Sequence, residues 1–164
     1  MIKVLRKRAE EGDEGFTLIE LMVVVLIIAI LIAIAIPTFL GARKRAQDRH
    51  AQVNLRNALT AEKTYYVDAQ VYSASSAELT PVQGYLNWIT SVPADATKNQ
   101  VAVGATGTGP SARVWIESQS ANGSEFCIAD VAGMGTFYRS GVGCWQDPLI
   151  PTPDPLGNGW GASF

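Results

Sequence analysis

The chain has few of the side chains that do chemistry. Its 164 residues hold one histidine, His50, and two cysteines, Cys127 and Cys144. A tetrahedral zinc centre needs about four such ligands, so no metal site is expected. No serine or cysteine lies in a recognisable nucleophile motif, and His50 stands alone in a basic, helix-like stretch, where it reads as solvent-facing. Neither an enzyme nor a cofactor is expected. Charge of one sign is also scarce. The formal net charge is -2, and that balance implies no nucleic-acid partner. Asp147 and Asp154 sit in a proline-rich stretch unlike a calcium loop and read as solubilising groups. Trp88, Trp115, Trp145 and Trp160 follow no period and read as packing residues rather than a sugar platform.

The order of segments is not that of an ordinary secretory signal, in which a basic region precedes a short apolar run and then the cut. Here a charged leader, residues 1–15, ends at Gly15, and the apolar run begins directly after it. Leu21 to Ile36 is an unbroken apolar stretch, and the apolar character extends over 16–40, broken by Thr17, Glu20, Pro37 and Thr38. As a helix, those residues would cover about 37 Å, enough for a hydrocarbon core of about 30 Å. A cut after Gly15 would leave the span in the mature chain. Orientation is not decided by the positive-inside rule. Lys3, Arg6, Lys7 and Arg8 precede the span, and Arg43, Lys44, Arg45 and Arg49 follow it.

Residues 41–68 continue the helix in amphipathic form. Ala51, Leu55, Ala58, Leu59, Tyr65 and Tyr66 recur at helical spacing with Glu62 inside the stripe. On another face Arg45, Arg49, Arg56 and Lys63 form a basic ridge, read either as a solvated face or as a contact with acidic groups on neighbouring copies. Residues 69–164 read as a small β-sheet domain. An irregular connector over 71–98, with room for one short helix, leads to strands at Gln100–Ala105, Ala112–Gln119, Glu125–Val131 and Thr136–Arg139. Asn122-Gly123 signals a tight hairpin, and that reading outweighs the glycosylation sequon completed by Ser124. The fold class is α+β, a long N-terminal helix packed on an antiparallel meander whose inner face draws on Val114, Ile116 and Phe126. The last eighteen residues are too rich in proline and glycine for a ladder and read as an extended tail. If this part is exported, Cys127 and Cys144, with sixteen residues between them, can form a disulfide; such a loop removes about 3 kcal/mol of unfolded-state freedom.

The residues GFTLIE, Gly15 to Glu20, joined to a long apolar helix and Pro37, resemble the type IV pilins and pseudopilins. The resemblance is close over residues 8–66 and covers the remainder in outline. It implies cleavage after Gly15 by a prepilin peptidase, N-methylation of Phe16, and assembly through Glu20 and Pro37. The implied partners are copies of the same chain, an assembly platform with its ATPase, and membrane lipid before assembly. The precursor would cross the inner membrane once and the product would be a surface pilus. A pseudopilin of a secretion or DNA-uptake machine is the alternative within the family; a membrane-anchored binding module is the alternative outside it. Many members carry a glycine midway along the apolar helix, where this chain has Ala29.

Overall fold

The computed structural model describes residues 15–141 and 160–164. The chain divides into two units, Met1–Ala42 and Arg43–Phe164. One helix, α1 (Leu18–Ala69), contributes to both. Within the first unit, every residue from Phe16 to Leu40 is exposed. Leucine, isoleucine, valine and alanine carry this helix without an apolar stripe, because all of its faces are apolar. Pro37 lies inside it and lacks a backbone donor. The Thr38 hydroxyl donates to the carbonyls of Ala35 at 2.8 Å and Ile34 at 3.2 Å, beside that interruption.

In the second unit α1 is amphipathic. Ala51, Leu55, Ala58 and Leu59 are buried in one cluster with Val101, Val103, Val114, Ile116, Phe126 and Ile128. The sheet that supplies those partners has five strands, β1 (Asn87–Ile89), β2 (Gln100–Thr106), β3 (Arg113–Gln119), β4 (Glu125–Val131) and β5 (Gly135–Ser140), in the spatial order of the chain. A short helix, α2 (Ser76–Leu79), precedes β1. The meander from β2 to β5 is antiparallel, as expected, and its strand limits fall within one residue of those read from the sequence. Period-2 alternation explains the two faces. Val114, Ile116, Phe126 and Ile128 point to the α1 cluster, whereas Trp115, Cys127, Ala129 and Phe137 gather with Trp160 on the other side. Gly104 is required there: it pairs with Trp115, and a Cβ would sit 2.4 Å from the indole ring.

Three features differ from expectation. β1 lies in the connector and pairs parallel with β2, a register reached through a crossover that contains a short 3₁₀ turn, Ala96–Lys98. Asp95 caps that turn, accepting from the Thr97 amide at 2.9 Å. The β3–β4 connection is a five-residue loop, 120–124, rather than a two-residue turn. Ser120 donates to Ser124 across it at 2.8 Å, and Gly123 takes the left-handed conformation such loops favour. Of the expected tail, residues 147–159 lie outside the described residues, and residues 160–164 are not free. Gly161 exchanges two 2.8 Å backbone bonds with Tyr138, Trp160 is buried, and the Phe164 ring meets Phe126 and Tyr138 edge-on. Two aromatic anchors outweigh the poor strand propensity of the glycine between them. Trp145, like Cys144, Asp147 and Asp154, lies outside the described residues.

Two carboxyl groups are fully enclosed. Glu62, in the apolar stripe of α1, accepts from the Ser73 amide at 3.1 Å, and Glu117 of β3 accepts from the Ala94 amide at 2.8 Å. Each fastens an irregular segment to the core and leaves its Oε1 without a partner among the described residues. Burial pushes the Glu62 carboxyl up to about 8 despite the Ser73 bond, with Glu78 adding to the shift. Burial likewise pushes Glu117 up to about 7, opposed by the Ala94 bond and assisted by Glu125. An unfolded glutamate releases its proton near pH 4.5. Between that pH and about 8 the folded chain therefore holds protons that the unfolded chain has lost, and stability falls as pH rises. Thermal melting of the full chain in detergent is expected to drop by several degrees from pH 5 to pH 8.5. Glu62→Gln, which keeps an acceptor for Ser73 and cannot ionise, is expected to flatten that decline.

Candidate assembly surface

Two polar side chains stand at the start of the first unit's helix. Thr17 precedes α1 and acts as its N-cap, and Glu20 occupies the third helical position. The Thr17 amide and hydroxyl both donate to Glu20 Oε2, at 2.9 Å and 2.6 Å, while the Glu20 amide donates to Thr17 Oγ1 at 3.3 Å. These reciprocal bonds form a capping box, which satisfies amides that a helix start leaves unpaired. The sequence signal was Thr17-Leu18-Ile19-Glu20, the T-x-x-E spacing that precedes an apolar run. Glu20 Oε1 accepts no hydrogen bond from the described residues. Gly15 and Phe16, the expected cleavage pair, are exposed, and Phe16 reaches 85%. A Cβ on Gly15 would meet nothing within 4 Å.

The four residues of the basic ridge divide. Arg45, Arg49 and Arg56 are exposed and form no ion pair among the described residues. Lys63 is engaged within its own unit. Its ammonium lies 2.9 Å from Asp130 and donates to Thr136 at 2.9 Å. Asp130 is buried on β4 and also accepts from the Tyr72 and Thr136 hydroxyls, each at 2.5 Å. The aspartate raises the Tyr72 phenol further above its ordinary range, to which burial contributes most. This network ties α1, the segment after it, β4 and β5 together. A cavity of about 570 Å³ opens beside it, walled in part by Tyr66, Val67, Tyr72 and Met134. Asp48 is similarly committed. It accepts from Ser120 at 2.9 Å and from the Asn122 amide at 2.7 Å, which pins the β3–β4 loop to α1 and gives Asn122 a structural task. Cys127 is buried in β4, and its expected partner, Cys144, lies outside the described residues. His50 is exposed on α1.

Residues 12–36 match the family described as the prokaryotic N-terminal methylation motif. Three curated relatives extend the likeness. The type IV wide pilus major component PilA4 of Thermus thermophilus is 39% identical over 92 residues, which cover 56% of this chain and 66% of that protein. The type IV major pilin protein PilA of Myxococcus xanthus is 45% identical over 72 residues, covering 44% of this chain and 33% of the relative. The type IV major pilin protein PilE of Neisseria gonorrhoeae is 29% identical over 125 residues, covering 70% and 74%. The chain thus spans just under two thirds of the first relative's length and a third of the second's.

The division of the ridge is testable by stability. Lys63→Met leaves a buried carboxylate without its cation, and the remaining hydroxyl bonds offset only part of the loss, so a destabilisation of about 1–3 kcal/mol is expected. Arg56→Met, on the exposed face, is expected to stay within about 0.5 kcal/mol. Urea unfolding of the two variants checks both.

Proposed function

We propose that this chain, which belongs to the type IV pilin family, is a structural subunit of an extracellular pilus. In this reading it is made as a precursor that crosses the membrane once, and a prepilin peptidase removes residues 1–15 after Gly15. The same step exposes the Phe16 amine for methylation. An assembly platform and its ATPase then transfer the subunit from lipid to a helical homopolymer. The observation that carries the reading is the helical surface from Phe16 to Leu40, apolar and exposed all round, that starts at the methylation motif. Exposed apolar area on this scale requires a cover, either lipid or other apolar helices. A polymer of identical chains supplies the second, since each copy offers the same surface.

Glu20 gives the transfer a direction. A carboxylate near hydrocarbon is unfavourable unless hydrogen-bonded or paired, and the Thr17 bonds partly satisfy it while the subunit waits in lipid. Its free Oε1 remains able to meet the Phe16 ammonium of the adjacent copy, created by cleavage. That pairing would fix the axial position of each incoming subunit. Pro37 would be the place where α1 yields during packing, since one backbone bond is already missing there. The Cys127–Cys144 disulfide would clamp β4 to the segment after β5, a common reinforcement of small exported domains.

Electron microscopy of cells expressing Glu20→Ala is expected to reveal few or no surface fibres, although the variant enters the membrane and loses its leader. Glu20→Asp is expected to assemble partly. Normal fibre yield from the alanine variant would refute the role. The disulfide is tested separately: thiol labelling of unreduced, denatured protein is expected to modify neither Cys127 nor Cys144, and labelling of both would exclude the bond.

A further inference from the structure

The acidic and basic groups of the second unit are treated very differently. Asp48 is held by Ser120 and Asn122, Asp130 by Lys63, Tyr72 and Thr136, and Asp95 by Thr97 and Lys98. Glu62 and Glu117 are enclosed, Glu78 accepts from Ser73, and Glu125 also interacts within the structure. That leaves Asp68 as the exposed carboxylate without such an engagement among the described residues. Against this, Arg43, Lys44, Arg45, Arg49 and Arg56 are all exposed on α1 and form no ion pair among the described residues.

Among the described residues, therefore, a second copy offers few free carboxylates to answer these cations, whereas an anionic lipid brings its own negative charge. Arg43, Lys44 and Arg45 are consecutive in α1, so successive turns of about 100° spread them around its circumference rather than along one ridge. They begin three residues after Leu40, the last residue of the apolar stretch, and three helical residues advance about 4.5 Å. That is the depth at which a bilayer changes from hydrocarbon to phosphate. A cavity of about 320 Å³ opens at the same level of the second unit, walled by Arg43, Ala46, Gln47, His50, Thr97 and Ala121.

We propose that Arg43, Lys44 and Arg45, with Arg49 behind them, form a collar that binds anionic phospholipid headgroups around the subunit in the membrane. The proposal rests on the membrane-span reading of residues 16–40 and adds a lipid preference to it. Arginine and lysine near a bilayer surface attract anionic lipid, each changing partitioning about fivefold, and long side chains let the charged ends reach phosphate from slightly different depths. Because the collar encircles the helix, it selects the lipid shell as a whole rather than one bound molecule. Arg56 lies more than three helical turns beyond Arg43 and stays outside this layer.

The test uses the full chain reconstituted into phosphatidylcholine vesicles doped with spin-labelled phosphatidylglycerol or spin-labelled phosphatidylcholine. Electron spin resonance reads the fraction of each label immobilised at the protein. Wild type is expected to enrich the anionic label about two- to fivefold over the zwitterionic one. A triple variant, Arg43→Gln with Lys44→Gln and Arg45→Gln, is expected to bring the ratio near one, whereas Arg56→Gln leaves it unchanged. High salt is expected to lower the wild-type preference. Equal immobilisation of both labels by inserted wild-type protein overturns the proposal alone. Failure of the wild type to enter the bilayer overturns the span reading and this one with it. A triple variant that keeps its lipid preference but no longer forms fibres assigns the collar to a neighbouring copy and also overturns it.

Discussion

The constraint on which the rest depends is an apolar helical surface that the described residues leave uncovered. From Phe16 to Leu40 the side chains are exposed on all faces of α1. In water such a surface drives association, and in lipid it is already satisfied. On the proposed function, the same twenty-five residues would serve both a subunit held in lipid and an assembled one. The polar groups at the start of the helix fit this double life. Thr17 and Glu20 satisfy each other without a partner, yet one carboxylate oxygen stays available.

The sheet-bearing unit is stabilised in another way. Its inner face is a conventional apolar layer against Ala51, Leu55, Ala58 and Leu59. Each fully buried leucine, isoleucine or valine there contributes about 1.5–3 kcal/mol, and the alanines less. The irregular segments, which cannot bury enough apolar area, are instead fastened by carboxyl groups. Glu62 holds Ser73, Glu117 holds Ala94, Asp48 holds the β3–β4 loop, and Asp130 gathers Lys63, Tyr72 and Thr136. These four acidic side chains are thereby committed within the unit, while Arg45, Arg49 and Arg56 remain exposed on α1. The formal charge of the whole chain conceals this separation.

Periodicity made much of the fold legible. Helical spacing located the buried stripe of α1, including Glu62, and alternation located β2 to β5, because those patterns follow directly from which face meets the core. The three-residue β1 was too short for any alternation to register, and its parallel pairing depends on a crossover that no local pattern announces. The return of Trp160 to Phe164 was hidden by glycine and proline, since the aromatic contacts that hold it come from Phe126 and Tyr138, far away in sequence. At the candidate surface, Glu20 was singled out by its place in the GFTLIE motif, whereas its bond to Thr17 required attention to capping chemistry. Lys63 matched the arginines in helical phase; only tertiary structure could reveal that Asp130 claims it.

The central claim is that the apolar helix becomes the buried core of a polymer after the leader is removed. Intact mass of subunits recovered from sheared surface fibres tests it most directly. The account predicts a chain beginning at Phe16, heavier than its sequence by the net CH2 of a methylation and lighter by the two hydrogens of the disulfide. Subunits in the fibres that retain residues 1–15, or fibres that contain none of this chain, would contradict it.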